Sequence, residues 1–299
     1  MLRNSSQQLT PPLRQGDQVI TVAPSSALLD DQKLLEGLQL LESWGLACRP
    51  QQICNRRWGY LAGNDRSRWS DLHPDTPAAL LACARGGWGA ARLLEQDIHW
   101  RQGWLLGFSD ITALLWARLA AGLDGGIHGP LLTTLADEPP WSQARLRCLL
   151  FGEQIPEIEG HGWGGGVATG PLVVANLTVA SHLIGSQHVP DLNGAILILE
   201  DVGEAPYRID RMLTQWRLAG LLQQLAGLGF GSFAGCEPPE PVRGDHTFQL
   251  EQVLQDRSAD LGIPIVADLP IGHRCGNAAL PLGRMACLDG NLGRLRLLP

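Results

Sequence analysis

Apolar and polar positions along the first half of the chain fall into blocks that switch between two periods. Val19-Ile20-Thr21-Val22-Ala23 is a short continuous apolar run stopped by Pro24-Ser25-Ser26, and it predicts a buried strand. Leu34, Leu35, Leu38, Leu41 and Trp44 then recur at helical spacing, with Gly45 where a left-handed C-cap belongs. Residues 80–84 predict a second strand, followed by the loop Arg85-Gly86-Gly87-Trp88-Gly89 and a helix from Ala90. Trp104-Leu105-Leu106-Gly107 predicts a third, followed by a helix over residues 110–121. Strands alternating with helices predict an α/β fold with a parallel sheet covered on both faces.

Residues 153–170 change character. His161-Gly162-Trp163-Gly164-Gly165-Gly166 is too glycine-rich to predict a stable element, so this stretch reads as a linker. It separates an N-terminal domain, residues 1–152, from a C-terminal domain, residues 171–299. The second half resumes with the apolar run Ala195-Ile196-Leu197-Ile198-Leu199, then a helix over residues 209–222 and a short strand over residues 263–266. The tail, residues 280–299, has apolar runs split by Gly283, Gly290 and Gly293, which predicts β-structure.

Composition narrows the function classes. The chain has 299 residues, 44% of them apolar, and a formal net charge of -7 with acids and bases interspersed. No basic stripe is present, which argues against nucleic acid as a partner. The seven cysteines are odd in number and none has CxxC spacing, which argues against a disulfide framework or a zinc knuckle. No H-E-x-x-H motif or His/Cys/Asp cluster suggests a metal, and no cofactor is expected. Residues 1–18 lack the apolar stretch of a secretory signal, and no apolar run reaches membrane-spanning length. The expectation is a cytoplasmic enzyme without a membrane partner.

Three residues could carry acyl-transfer chemistry. Ser109 lies two residues past a strand and opens a helix, where a sharp turn exposes its hydroxyl and the following backbone N–H groups can stabilise an oxyanion. Ser109 could equally be a helix cap, and Ile111 replaces the last glycine of G-x-S-x-G. Asp110 suits the dipole of the same helix start. Glu200 follows five apolar residues, which desolvate its carboxylate; it could orient an imidazole, or pair with Arg208 or Arg211. His273 ends another apolar run, and His128 is its rival as general base. The order Ser, Glu, His matches one known solution to the triad problem. The loop from Arg85 to Gly89 could cradle an oxyanion, with Arg85 either reading a substrate carboxylate or held in a salt bridge. As a dinucleotide loop it is a weak match, because Arg92 takes the place of the last glycine of G-x-G-x-x-G.

Together these segments resemble the LD-carboxypeptidase family: murein tetrapeptide carboxypeptidases, with the microcin C immunity peptidases as relatives. The likeness is carried by Val22-Ala23-Pro24-Ser25-Ser26, Arg85-Gly86-Gly87-Trp88-Gly89, Gly107-Phe108-Ser109-Asp110, His128-Gly129-Pro130, Asn176-Leu177, Leu199-Glu200-Asp201, Tyr207-Arg208-Ile209-Asp210-Arg211 and Gly272-His273, in family order. The resemblance implies a Rossmann-like N-terminal domain with the serine and a smaller, β-rich C-terminal α/β domain with the other two groups. It implies Ser109 as nucleophile, Glu200 as orienting carboxylate and His273 as base, with an oxyanion hole from the backbone of Asp110 and Gly87. Arg85, Trp88 and Asn176 are then the expected substrate contacts, a murein peptide the expected substrate and a homodimer the expected assembly. An immunity-type peptidase acting on aminoacyl nucleotides and a non-catalytic peptide-binding protein are the alternatives. The chain departs from the family in Val174 and Ala175, where two glycines are usual, and in Trp88, where tyrosine is usual.

Overall fold

The computed structural model describes residues 9–49, 53–237 and 247–299. Its strands, in chain order, are β1 (Gln18–Val22), β2 (Ala47–Arg49), β3 (Leu80–Cys83), β4 (Trp104–Gly107), β5 (Gly126–His128), β6 (Ile158–Glu159), β7 (His161–Gly164), β8 (Val167–Asn176), β9 (Ile196–Val202), β10 (Gly227–Ala234), β11 (Ile265–Ala267), β12 (Leu280–Pro281), β13 (Met285–Asp289) and β14 (Arg294–Leu297). The helices are α1 (Gln32–Ser43), α2 (Asp65–Asp71), α3 (Thr112–Ala120), α4 (Leu132–Leu135), α5 (Pro140–Phe151), α6 (Leu177–Leu183), α7 (Pro206–Leu218) and α8 (Leu250–Ser258).

The expected α/β architecture is present. The first sheet has the order β12-β5-β4-β3-β1-β2; β1 to β5 are parallel and β12 adds antiparallel to β5. The order β2-β1-β3-β4-β5 is a doubly wound topology, with its switch point between β1 and β3. The second sheet has the order β6-β14-β13-β8-β9-β10-β11-β7, with β8 to β11 parallel at its centre. Ile196 to Leu199 in β9 are fully buried, which is why this strand reads as unbroken apolar sequence. Helix α3 is buried along most of its length: Trp116 stacks edge-on against Trp216 of α7 and donates its indole N–H to the Val174 carbonyl of β8 at 3.0 Å. The helix that follows Ser109 is thereby fixed to the second sheet.

Several sequence expectations are corrected. Residues 153–170 are not a bare linker: they hold β6, β7 and the start of β8. Tertiary pairing overrides local propensity here, because β7 pairs with β11 and its Gly164 N–H donates to Gly290. The glycines serve that contact; a Cβ on Gly162 would lie 2.3 Å from the Gly290 carbonyl oxygen. The helix expected from Ala90 is a single 3₁₀ stretch, Ala91–Glu95, ended by extended backbone at Gln96. Helix α7 begins earlier than read, at Pro206, a residue suited to a first helical turn. The β-rich tail is present, but β12 crosses to the first sheet, so the segment 171–299 serves both sheets.

Trp116→Ala is expected to lower stability by about 3–5 kcal/mol, since it empties a buried indole site and orphans the Val174 carbonyl. Urea unfolding of the two proteins measures this directly.

Candidate active site

The carboxyl ends of β1, β3 and β4 open onto one cleft of about 520 Å³. This is the edge at which α/β sheets place their ligands. The cleft is bordered by the loops after these strands, by the start of α1 and by Thr133 and Thr134 of α4. Ser109, Arg85, Gly87, Trp88 and His273 all line it.

Ser109 has a left-handed backbone, with φ 64°. A non-glycine residue there carries strain of about 1–2 kcal/mol. The turn ends β4 sharply and sends the hydroxyl outward, and regular helix starts only at Thr112. A capping role does not describe this serine, because its Oγ meets His273 Nε2 at 3.0 Å. Gly86 makes the approach possible: a Cβ there would lie 3.0 Å from Ser109 Cβ and 3.1 Å from Oγ.

Glu200 lies fully buried on β9, and its Oε2 meets His273 Nδ1 at 2.7 Å. Its other oxygen, Oε1, has no partner among the described residues. Neither Arg208 nor Arg211 pairs with it; Arg208 binds Glu204 instead. His273 follows Gly272, whose φ of 100° turns the backbone against the carboxylate. A Cβ on Gly272 would lie 2.4 Å from Glu200 Oε2. Burial depresses the His273 imidazole, but its hydrogen bond to Glu200 and the charges of Glu200 and Asp201 outweigh that, so its pKa is raised above the ordinary 6.5. An unbroken hydrogen-bonded line therefore runs from a strained serine through an imidazole to a buried carboxylate. Such a line can move a proton off a hydroxyl and hold the resulting imidazolium.

His128, the rival base, is fully buried at the end of β5 with both ring nitrogens unpartnered among the described residues. Burial and the nearby His273 push its pKa down to about 3, so it stays neutral. Phe108 separates the two imidazoles, with ring centroids 5.6 Å from His128 and 4.8 Å from His273. Of the described histidines only His273 lines the cleft; His246 lies outside the described residues.

The remaining expected residues divide. Asp110 is a buried strut whose Oδ2 accepts from Ser25 Oγ at 2.6 Å and Ala90 N at 2.8 Å, tying together the loops after β1, β3 and β4. Burial raises its pKa, and these hydrogen bonds oppose the shift. Arg85 donates to the Ala27 carbonyl at 3.0 Å and has no ion pair among the described residues, so its charge remains available to the cleft. Trp88 is 68% exposed on the cleft wall. Asn176 is not brought into that wall. It is buried, its Oδ1 caps α6 by accepting from Val179 N at 3.0 Å, and its amide donates to Asp201 at 3.1 Å. The sequence assigns no role to Ser25, whose hydroxyl depends on a residue 85 positions away, or to Arg68. Arg68 is fully buried on α2 and donates to the carbonyls of Pro24 and Gly89, holding two cleft loops together. Among the described residues no group of three or more His, Cys, Asp or Glu could hold a metal ion. No described helix is long and apolar enough to cross a membrane.

Known proteins resemble the chain along nearly its whole length. Residues 19–129 match the model of the LD-carboxypeptidase N-terminal domain, and residues 169–288 that of the C-terminal domain. A putative carboxypeptidase of Synechocystis is 47% identical, covering 96% of both chains. The murein tetrapeptide carboxypeptidase of Pseudomonas aeruginosa is 34% identical, covering 98% of this chain and 99% of its own. Among solved structures, the muramoyltetrapeptide carboxypeptidase of Oxalobacter formigenes superposes with a TM-score of 0.81 at 26% identity, over 94% of this chain and 97% of its own. MccF in complex with glutamyl sulfamoyl guanosine superposes at 0.84 and shares the fold at 18% identity, over 97% and 98%. With both domain models matched in order and relatives of this similarity spanning nearly its whole length, the chain belongs to the LD-carboxypeptidase family.

Proposed function

We propose that the protein is a serine carboxypeptidase that cleaves the L-to-D peptide bond of murein tetrapeptides, releasing terminal D-alanine in cytoplasmic peptidoglycan recycling. The observation that carries this reading is the line from Ser109 Oγ through His273 to Glu200, at 3.0 and 2.7 Å, opening on a cleft. The substrate is inferred from the related murein tetrapeptide carboxypeptidase of Pseudomonas aeruginosa.

His273 Nε2 takes the Ser109 proton as Oγ attacks the scissile carbonyl carbon. Negative charge passes to the carbonyl oxygen, which faces the backbone N–H groups of Asp110 and Gly87. Buried Glu200, hydrogen-bonded to Nδ1, stabilises the imidazolium. The carbon–nitrogen bond breaks as His273 returns the proton to the leaving amine of D-alanine. A water, deprotonated by His273, then attacks the Ser109 ester, freeing the tripeptide and restoring the hydroxyl. Arg85 pairs with the terminal carboxylate. Trp88 favours a second reading, an immunity-type peptidase, because an exposed indole beside the serine can stack on a nucleobase.

Purified protein incubated with murein tetrapeptide is expected to release D-alanine. Ser109→Ala is expected to lower kcat/KM by on the order of ten-thousandfold or more. Absence of release by the wild type, with cleavage of an aminoacyl sulfamoyl adenosine instead, would move the assignment to the second reading.

The base must be neutral to act, so activity should fall as pH drops through the raised His273 pKa, placing the acid limb above 6.5. Glu200→Gln removes the carboxylate hydrogen bond and the nearest charge that raise it, leaving only the charge of Asp201 against burial, which lowers it. Its acid limb is expected at lower pH, with kcat reduced on the order of a thousandfold or more. A limb unmoved in kcat/KM would show that another group titrates.

Arg85→Ala is expected to reduce kcat/KM about 10- to 100-fold, mainly through KM, as loss of one charge-assisted contact implies. A peptide amidated at its C-terminus should be cleaved equally by both proteins.

A further inference from the structure

We propose that Glu138 is a positioning residue that holds the His273 loop in its working geometry from the segment that leads into α5. The proposal rests on the Ser109–His273–Glu200 reading above. Glu138 immediately precedes Pro139 and Pro140, which open α5. Fixed φ at two consecutive prolines makes this a stiff mounting. Its side chain is nearly buried, and Oε2 accepts two backbone hydrogen bonds, from Gly276 N at 2.7 Å and Asn277 N at 3.0 Å. No cation pairs with Glu138 among the described residues. A buried carboxylate without an ion pair is held by hydrogen bonds alone, here these two backbone contacts and one from the Ser142 side chain.

The contacts continue to the base. Asn277 is fully buried, and its Oδ1 accepts from Gly272 N at 2.9 Å. Gly272 directly precedes His273 and packs against Glu200. Ser142 Oγ on α5 donates to the Asn277 carbonyl at 2.8 Å, and Arg145 Nε donates to the Ala279 carbonyl at 3.0 Å. Ala278 N closes the loop on the Pro270 carbonyl at 2.7 Å. The loop from Pro270 to Ala279 thus leaves the second sheet, receives its anchors from the start of α5, and continues into β12 of the first sheet. Glu138 supplies the anionic member of that anchor. Its removal frees two N–H groups and lets Gly272, and with it the imidazole, move relative to Ser109 and Glu200.

A misplaced imidazole and a generally weakened protein give different signals. The charged or titratable side chains about His273 are Glu200 and Asp201 of β9 and neutral His128 of β5, with Arg274 and Cys275 beside it in its own loop. Looser contact with Glu200 lowers the imidazole pKa, so the acid limb moves to lower pH. Loss of folded protein reduces the number of active molecules but leaves the limb in place.

The test measures the rate at which a fluorophosphonate modifies Ser109, as a function of pH, in wild type, Glu138→Ala, Glu138→Gln and Asn277→Ala, with thermal melts alongside. Glu138→Ala is expected to react about tenfold or more slowly per folded molecule, with its acid limb displaced downward. Glu138→Gln keeps an acceptor oxygen and should recover most of the rate. Asn277→Ala, which removes only the Gly272 contact from the same line, should shift the limb in the same direction and decides the matter if Glu138→Ala does not fold. Unchanged rate and limb in the folded variants would overturn the proposal. Absence of modification in the wild type, compared with Ser109→Ala, would overturn the triad reading and this proposal with it.

Discussion

The hydrogen bond between Ser109 Oγ and His273 Nε2 joins residues that belong to different sheets. Ser109 ends a strand of the first sheet, and His273 sits against Glu200 of the second. A bond of 3.0 Å tolerates displacement of only a few tenths of an ångström before it weakens. The two sheets must therefore be fixed to each other, and much of the polar structure between them serves that end. Trp116 and Thr112 of α3 reach the end of β8, through the Val174 carbonyl and the Asn176 N–H. Ser142 and Arg145 of α5 reach the loop that follows His273.

Within the first sheet, the same requirement explains the buried polar residues. Asp110 and Arg68 are costly to desolvate, yet each spreads its hydrogen bonds over separate loops. Asp110 gathers Ser25 and Ala90; Arg68 gathers Pro24, Gly89 and Asp65. The loops that carry Gly86 and Ser109 are thereby rigid before a ligand arrives. Preorganised donors of this kind contribute more to acyl transfer than donors that must reorient during reaction.

Much of this was legible in the sequence where chemistry and position coincide along the chain. The buried runs of β1, β3, β4 and β9 could be read locally; Ser109, Glu200 and His273 stood out locally only as candidates with structural alternatives, and their roles came from chain order and the family resemblance. What escaped depended on contacts distant in sequence. His161 to Gly166 looked structureless because glycine has poor strand propensity, yet pairing with β11 and the turn at Gly290 makes part of it a strand. Asn176 looked like a ligand contact from its place in a motif, but its amide is spent on Asp201 and a helix cap. Ser25 and Glu138 lie 85 and 138 positions from groups they bind, and no local pattern marks such a partnership.

The most direct test of the account is a crystal structure of the Ser109→Ala protein with a murein tetrapeptide bound. The account predicts the carbonyl carbon of the L-to-D bond about 3–3.5 Å from the position of the missing hydroxyl. Its oxygen should face the N–H groups of Asp110 and Gly87, and the terminal carboxylate should meet Arg85. A peptide seated with that bond away from His273, or with its carboxylate held elsewhere, would contradict it.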